Sequence, residues 1–299
     1  NLTTTFGYNA FSGFIASMVT PYGTSTFALP VNSMGSNRIV EAIDPLGGKE
    51  RVEYNDTGSI SVPSLRSPPK SVTIGGQVVS FYAEDSRLQF RNAWYWNKLQ
   101  NEVAPGDYKS ARNYRFYTNV NWKVVPVIET IKEPLEDRVW FNYPGGVLFD
   151  GSGFPYYPGA SAAPQKVLRM LTDGTPQLRQ YYTDAQGNLV KTVDPLGRTT
   201  EYLYAANLFD LLEVRQTTGG VNERQLAITY NSQHQPVTVT DAAGQVTTYT
   251  YNARGQVLTA IDPAGGTATF TYDINGYVTS IDGPLPGVSD VTTFSYDSL

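Results

Sequence analysis

The sequence of 299 residues lacks cysteine altogether and contains a single histidine. Without cysteine, neither a disulfide-held scaffold nor thiol chemistry is possible, although the compartment stays open because bacterial surface proteins often have none. A serine-containing nucleophile elbow is not visible either. Covalent catalysis through a cysteine or an elbow serine is therefore not indicated by the sequence.

Charge is also scarce, since charged residues make up 16% of the chain and the net charge is −5 at pH 7. This balance provides no basic field for nucleic acid or for an anionic lipid surface. All apolar runs are much shorter than the ~20 residues that a membrane-spanning helix requires. We therefore expect neither nucleic-acid binding nor membrane insertion by this chain.

The sequence does contain a repeat, which is clearest in its C-terminal third. Tyr230, Tyr251 and Tyr272 follow one another at equal steps of 21 residues. Each opens a stretch that consists of tyrosine, a polar tetrad, a short run rich in valine, isoleucine and threonine, and then Asp-x-x-Gly. Residues 182–197 carry the same pattern, and residues 43–54 carry a degenerate copy. A period near 20 residues is typical of a modular array rather than of a conventional enzyme core.

The repeated motifs predict strands separated by tight turns. In Asp-Pro-x-Gly the aspartate accepts hydrogen bonds from the backbone that follows, proline presets the first central φ, and glycine suits the fourth position of a type I turn. The tetrad that ends in glycine predicts a second reversal, because glycine adopts a positive φ without a clash. The runs between the turns suit a pleated sheet. The turn residues that define the repeat are Asp44, Asp194, Asp241, Asp262, Gly197, Gly244 and Gly265.

The tyrosines predict a common face for the repeats. Residues two positions apart on a strand share a face, so pairs such as Tyr249 and Tyr251 direct their rings to the same side. Equal steps along the chain bring equivalent positions onto neighbouring strands, which predicts one aromatic column along the array. The repeat-defining tyrosines are Tyr54, Tyr204, Tyr230, Tyr251, Tyr272 and Tyr296. The predicted fold is therefore all-β, an array of antiparallel β-hairpins.

This pattern resembles the Rhs/YD-repeat family, whose second name refers to Tyr-Asp pairs. The matching residues are Tyr272-Asp273, Tyr296-Asp297, Asp194-Pro195-Leu196-Gly197 and Asp262-Pro263-Ala264-Gly265. The resemblance is specific over residues 176–299, fair over 1–60 and absent in between. The family includes bacterial Rhs and wall-associated proteins, toxin-complex shell subunits and teneurins, which are long secreted or surface polypeptides. The resemblance implies a strip of hairpins that spirals into a hollow shell or a solenoid-like sheet and that, in toxins, encloses an unfolded effector.

An irregular region divides the chain into three segments: degenerate repeats at 1–65, an aromatic-rich insertion at 66–175 and regular repeats at 176–299. Within the insertion, only residues 86–102 could form a helix. Two interpretations of the insertion stay open. It contains longer strands that continue the sheet, or it forms a binding surface for a glycan or a protein, because tryptophan and tyrosine are common both in β cores and in binding hot spots. The candidate binding aromatics are Trp94, Tyr95, Trp96, Trp122 and Trp140.

Residues able to carry catalysis or bind a metal are few. His234 lies four residues after Tyr230, where other copies have glycine, so we expect it in a turn with positive φ. Most aspartates occupy turn positions that already explain them, and residues 273–276 lack the remaining ligands of a calcium loop. The self-cleaving aspartyl-protease activity of some family members is not transferred, because Asp194 and Asp262 are ordinary repeat positions. We therefore expect no enzyme activity, no metal and no cofactor.

The preferred functional interpretation is structural: a part of the shell or wall of a large secreted or cell-surface protein. Its partners are then neighbouring repeats of the same chain or of another chain. One alternative is an extracellular module that binds carbohydrate or protein through the aromatic insertion. Another is the repeat unit of a self-assembling fibre, since repeats contact only their neighbours and an open edge recruits another copy. Because a new copy begins near Tyr296, we also expect the chain to be a fragment of a longer protein.

Overall fold

The structure, a computed structural model, consists of two compact units, Asn1–Gln180 and Tyr181–Leu299. The first unit contains both the predicted N-terminal repeats and the whole aromatic insertion. Nearly all regular structure is antiparallel strand, which confirms the predicted all-β fold class. The described residues are 3–10, 12–29, 37–55, 68–83, 88–119, 121, 123–134, 136–145, 147–148, 155–156, 161, 163–287 and 289–297.

The first unit is built on one long sheet. The strands of this unit, of which β6 and β7 lie outside the long sheet, are β1 (Thr5–Tyr8), β2 (Ile15–Thr20), β3 (Gly23–Ala28), β4 (Asn37–Ile43), β5 (Lys49–Asn55), β6 (Ser71–Ile74), β7 (Gln77–Ser80), β8 (Asn92–Trp96), β9 (Arg112–Thr118), β10 (Val124–Lys132), β11 (Arg138–Asn142), β12 (Val147–Leu148), β13 (Pro155–Tyr156), β14 (Lys166–Met170) and β15 (Pro176–Thr183), whose last residues belong to the second unit. Antiparallel pairing runs in the order β1, β2, β3, β4, β5, β8, β9, β10, β11, β14 and β15. The short β12–β13 pair adds one parallel bridge, from Tyr156 to Thr118.

The second unit is a meander in which each strand pairs with the next. Its strands are β16 (Leu189–Val193), β17 (Thr199–Tyr204), β18 (Leu211–Thr218), β19 (Val221–Tyr230), β20 (Pro236–Asp241), β21 (Val246–Tyr251), β22 (Val257–Ile261), β23 (Thr267–Tyr272), β24 (Val278–Asp282) and β25 (Val291–Thr293). All nine pairings from β16 to β25 are antiparallel. The chain reverses direction at the three Asp-x-x-Gly motifs of this unit, Asp194–Gly197, Asp241–Gly244 and Asp262–Gly265, as predicted.

A buried interior lies on one side of the first unit's sheet. In β8 the side chains of Asn92, Trp94 and Trp96 are buried and alternate with the half-buried Ala93 and Tyr95. Strands β9 and β11 show the same alternation. Because successive side chains on a strand point to opposite faces, this period of two identifies one covered face. Each of these three strands therefore contributes to the same interior.

A separate hairpin of β6 and β7 belongs to this part of the first unit. Val72 and Ile74 of β6 are buried. The segment that follows β7 is held to β11 by a reciprocal pair of hydrogen bonds. The side-chain amide of Asn142 donates to the carbonyl oxygen of Tyr82 at 2.6 Å, and its oxygen accepts the backbone N–H of Tyr82 at 2.8 Å. The side chain of Asn142 therefore makes the same pair of hydrogen bonds with Tyr82 that the backbone of a neighbouring strand would make.

Within residues 86–102, the one stretch of the insertion that could form a helix by its sequence, the described residues are helical only from Lys98 onward. Helix α1 spans Lys98–Val103, begins at a capping box formed by Asn97 and Gln100, and contains no buried residue. The preceding residues form β8 instead. Pairing of β8 with β5 and β9 buries both tryptophans, and this gain outweighs a weak helical pattern.

The second unit has little enclosed interior. Among its described residues, only Asp210 is buried. Side chains on one face instead meet across the strands, as in the hydroxyl pair of Thr250 and Thr259 at 2.7 Å. Strand pairing and cross-strand contacts are therefore the main sources of stability that this unit contains. In the described part of the chain, no helix is long and apolar enough to cross a membrane.

Candidate functional site

The repeat-defining aspartates all build the same turn. In the turn at Asp262, the N–H of Gly265 donates to the carbonyl of Asp262, and the N–H of Asp262 donates to the carbonyl of Gly266. The carboxylate oxygen Oδ1 of each such aspartate accepts two backbone N–H groups, two and four residues further on, at 2.7–3.0 Å. The fourth residue has positive φ in every case, between 79° and 89°. These turns contain Asp44 with Gly47, Asp194 with Gly197, Asp241 with Gly244, and Asp262 with Gly265.

The second type of reversal, which the sequence analysis treated as a separate turn, has the same geometry. At Asn252 the side-chain oxygen accepts the N–H groups of Arg254 and Gln256, and Gly255 has a φ of 82°. Asparagine and aspartate oxygens are equivalent acceptors for these N–H groups, so the tetrad turns begin with either residue, as at Asn231, Asn252 and Asp273. The successive reversals from β19 to β24 are therefore all closed by the same type of turn.

The repeat tyrosines of the second unit share one contact. Each hydroxyl donates to the carbonyl of the first residue of the preceding strand, at 2.7–3.3 Å. A register shift accompanies the tyrosine in four successive hairpins. The same contact in each repeat shows that these positions are equivalent, as the 21-residue step predicts. The donor and acceptor pairs are Tyr204 and Leu189, Tyr230 and Leu211, Tyr251 and Pro236, Tyr272 and Val257, and Tyr296 and Val278. In the first unit, Tyr54 lies near the end of β5 and is half-buried.

A third repeated contact, which was not predicted from the sequence, joins neighbouring turns of the tetrad type. The residue after the positive-φ position donates its side-chain amide to the carbonyl of the positive-φ residue in the next such turn, 20 positions further on. Gln235 donates to Gly255, and Gln256 donates to Gly276, both at 2.9 Å. Asn188 makes the corresponding bond to Leu208 at 2.6 Å. The available signal was the asparagine or glutamine that follows the tetrad in three of the copies, at Asn188, Gln235 and Gln256.

His234 occupies the turn expected for it, with a φ of 62°. Its Nδ1 lies 2.9 Å from Oδ2 of Asp210, and its ring meets Phe209 edge-on, with 4.5 Å between centroids. Burial alone would raise the pKa of Asp210, but hydrogen bonds from His234 and Asn207 outweigh it and hold that pKa below its ordinary value. His234 thus links its own turn to the turn that precedes Asp210. Between these two turns, no side-chain amide hydrogen bond of the kind made by Gln235 is found among the described residues.

The candidate binding aromatics of the insertion are mostly enclosed. Trp94, Trp96 and Trp140 are each no more than 1% exposed, and Tyr95 is half-buried. Trp94 and Trp96 both meet Tyr108 edge-on, at centroid distances of 5.0 and 5.3 Å. These three tryptophan rings therefore have no surface to offer a ligand and act as core. Trp122 lies outside the described residues.

Charged side chains share the interior with the tryptophans. The carboxylate of Glu129 accepts hydrogen bonds from Arg115 at 2.8 Å and from Arg91 at 2.9 Å, and all three side chains are at most 6% exposed. Burial lowers the pKa of the Lys132 ammonium, and the nearby Arg138 lowers it further. No local pattern in the sequence marks these residues as buried, because the strands that bring them together are distant along the chain.

Among the described residues, no group of three or more histidine, aspartate or glutamate side chains is arranged to hold a metal ion. The aspartates of the turns already accept backbone N–H groups. What the arrangement does accomplish is the regular joining of hairpins, through turns, tyrosine hydroxyls and side-chain amides.

Comparison with known proteins agrees with this description. The crystal structure of TcdB2-TccC3-Cdc42 contains a chain with the same fold, at a TM-score of 0.50 and 15% sequence identity, in a match that covers 97% of this chain and 15% of that chain. Lower similarity, at 12% identity, is found to TcdB2-TccC3 and to the Photorhabdus luminescens Tc holotoxin pore, with TM-scores of 0.45 and 0.42, covering 94% of this chain and 18% of each of those chains. The present chain thus corresponds to a small part of much longer polypeptides. A search of curated proteins found no match.

The repeat itself is matched by the RHS Repeat family model, over residues 230–267 and 251–285. These ranges begin at Tyr230 and Tyr251, two of the tyrosines that define the period. They also contain the turns at Asp241 and Asp262 and the amide contacts of Gln235 and Gln256. Residues 230–285 are therefore similar to RHS repeats, and the chain that contains them has the fold described above.

Proposed function

We propose that this chain is a non-catalytic wall segment of a larger secreted or cell-surface Rhs-repeat protein. The observation that carries the proposal is the construction of the second unit, a strand meander in which only one described side chain is buried. Such a sheet forms a layer of hairpins in which each strand pairs with the next. It extends by adding hairpins through the same three contacts, as a wall requires.

The fold of the toxin-complex chain supports a shell rather than a flat layer. The match covers only 15% of that chain's length, so the present chain is long enough for a segment of such a wall and not for a whole shell. In the proposed protein, the segment contributes to a shell whose contents are determined by other parts of the polypeptide. The partners of its edge strands are further repeats.

The alternative of an adhesin that binds through the aromatic insertion is less favoured. It requires tryptophan rings at the surface, whereas Trp94, Trp96 and Trp140 are buried. The fibre alternative receives no specific support from the described contacts. The wall differs from both alternatives in what covers the edges of the sheet within the full-length protein.

Electron cryomicroscopy of the full-length protein tests the proposal. We expect β16 to β25 to form one layer of a curved wall, with protein on the edges of the sheet. A matched pair of variants adds a functional measurement. Replacing Gly265 by valine in the positive-φ turn should open the wall to added protease, whereas Ala264→Val in the exposed turn position should not. A segment that stands alone on a stalk, with its edges exposed to solvent, would refute the wall and favour the adhesin.

A further inference from the structure

One hairpin of the second unit departs from the repeat. Tyr204 and Tyr230 are 26 residues apart, five more than the regular step of 21. The additional residues lengthen β18 to 8 residues and β19 to 10, whereas β17 and β20 have 6 each. Since Leu226 pairs with Asp241 at the end of β20, residues 221–225 extend past that strand. Departures of this kind from a regular scaffold are where binding residues are most often found.

A polar groove of about 620 Å³ lies between the extended hairpin and the neighbouring turn. Such a volume falls within the range of small-molecule sites. The lining contains guanidinium, carboxylate and amide groups but no aromatic ring or long aliphatic side chain. The groove is lined by Arg215, Glu223, Arg224, Gln225 and the turn residues 242–244.

A bulge lies in the strands that line this groove and places two of its arginines opposite each other. Val214 pairs with Leu226 and Arg215 pairs with Arg224, so that Gln225 is an extra residue on β19. Bulges of this kind redirect side chains and are frequent beside functional sites. Here the bulge makes the two arginines direct neighbours across the hairpin.

The two arginines differ in how firmly they are held. Arg215 donates through Nε to Glu213 at 2.7 Å and through Nη1 to Asn222 at 3.3 Å. Arg224 lies 4.0 Å from a carboxylate oxygen of the same Glu213, and its side chain is 45% exposed. One carboxylate therefore faces two guanidinium groups. Arg224 keeps donors directed to solvent, beside an arginine that is already fixed.

We propose that this groove binds an acidic sugar unit of a glycan, with Arg224 receiving the sugar carboxylate. A planar guanidinium fits a carboxylate through two parallel hydrogen bonds. The carboxylate of Glu223 and the amide of Gln225 supply acceptors and a donor for ring hydroxyl groups. A peptide side chain of apolar type finds no complementary surface here. This site is independent of the wall function and of the buried tryptophans.

Titration of the 299-residue chain with three probes tests the site. D-glucuronate carries both the ring and the carboxylate, D-glucose carries the ring alone, and acetate carries the carboxylate alone. We expect glucuronate to bind at least about tenfold more tightly than either of the others, because both sets of contacts are needed. Nuclear magnetic resonance should show shifts at the backbone amides of Arg224, Gln225 and Ala243 in the unmodified chain.

Substitutions separate the proposal from non-specific attraction. Arg224→Gln should weaken glucuronate binding by about tenfold or more and bring it to the level of glucose, because a charge-assisted bond is lost. Glu223→Gln should strengthen glucuronate binding, since a repelling charge is removed while an acceptor oxygen remains. Arg198→Gln is the matched control, because Arg198 is exposed to a similar extent but pairs with Asp194 in another turn.

Three results would overturn the proposal. They are no glucuronate-induced shifts at residues 224–243, acetate binding as tight as glucuronate binding, and an Arg198→Gln loss equal to that of Arg224→Gln. If Arg224→Gln does not fold, the shifts in the unmodified chain and the effect of Glu223→Gln decide the question alone.

Discussion

The hydroxyl of Tyr251 donates a hydrogen bond to the carbonyl of Pro236 at 2.7 Å, across two neighbouring strands. Pro236 opens β20 and Tyr251 closes β21, so this bond fastens the same end of both strands. Burial raises the pKa of Tyr251, as expected for a partly buried phenol at a strand end. Four other tyrosines of the second unit repeat the contact.

Removal of this hydroxyl tests its contribution. We expect Tyr251→Phe to lower the free energy of unfolding by about 1 kcal/mol, because one partly buried hydrogen bond is lost and a carbonyl loses its partner. Tyr251→Ala should cost more, about 2–3 kcal/mol, since ring contacts are lost as well. Urea unfolding measures both. Tyr22→Phe is the control, because Tyr22 is 85% exposed. Equal effects of the two phenylalanine variants would contradict the prediction.

A second prediction concerns the ion pairs buried in the first unit. Glu129→Gln should destabilise the chain by about 3–5 kcal/mol, because Arg91 and Arg115 would stay buried beside a neutral amide. Glu136→Gln provides the comparison, since Glu136 is 54% exposed and lies 3.5 Å from Arg169. Its effect should be under about 1 kcal/mol. Thermal unfolding of both variants decides the matter, and a small loss for Glu129→Gln would mean that water reaches the pair.

A third prediction follows from the depressed pKa of Asp210. Because its pKa is lower in the folded state than in the unfolded state, the carboxylate stabilises the fold above about pH 4, and this stabilisation is lost as the pH falls through the folded-state pKa. The melting temperature of the unmodified chain should therefore fall more steeply below pH 4 than that of Asp210→Asn. Parallel pH profiles for the two proteins would speak against the Asp210–His234 bond.

Replacement of His234 by glycine has two opposing effects. Glycine relieves the positive φ at this position, which alone would stabilise the chain. The variant also removes the bond to Asp210 and the ring contact with Phe209. We expect a net loss of stability, because the lost contacts outweigh the relief of the positive φ. His234→Asn should lose less, because asparagine tolerates this φ and retains a polar side chain. A higher melting temperature for His234→Gly would show that strain dominates.

Local chemistry explains what the sequence predicted well. Each Asp-x-x-Gly turn is determined by four consecutive residues, whose side-chain and backbone groups bond to one another. A regular 21-residue step then requires that successive hairpins repeat the same contacts. The all-β fold, the turn sites and the equivalence of Tyr204, Tyr230, Tyr251 and Tyr272 could therefore be obtained without a structure. The amide contacts of Gln235 and Gln256 could have been obtained in the same way.

Burial was not available from the same reasoning. The sequences of the strands that contain Trp94 and Trp140 are compatible with one covered face or with two exposed faces. Which of these is the case depends on whether segments distant along the chain pack over the tryptophan rings. The same holds for Glu129, whose arginine partners are 14 and 38 residues away. A tryptophan-rich strand is compatible with a ligand platform or with a core, and only the packed arrangement distinguishes them.

The sequence by itself determined the period, the turns and the strand character of this protein, because these depend on neighbouring residues and on steric preferences of the backbone. The tertiary structure decided which aromatic rings are enclosed, that His234 meets Asp210, and that Arg215 and Arg224 share a groove. These depend on strand register, and a shift of one residue in register moves every side chain to the opposite face.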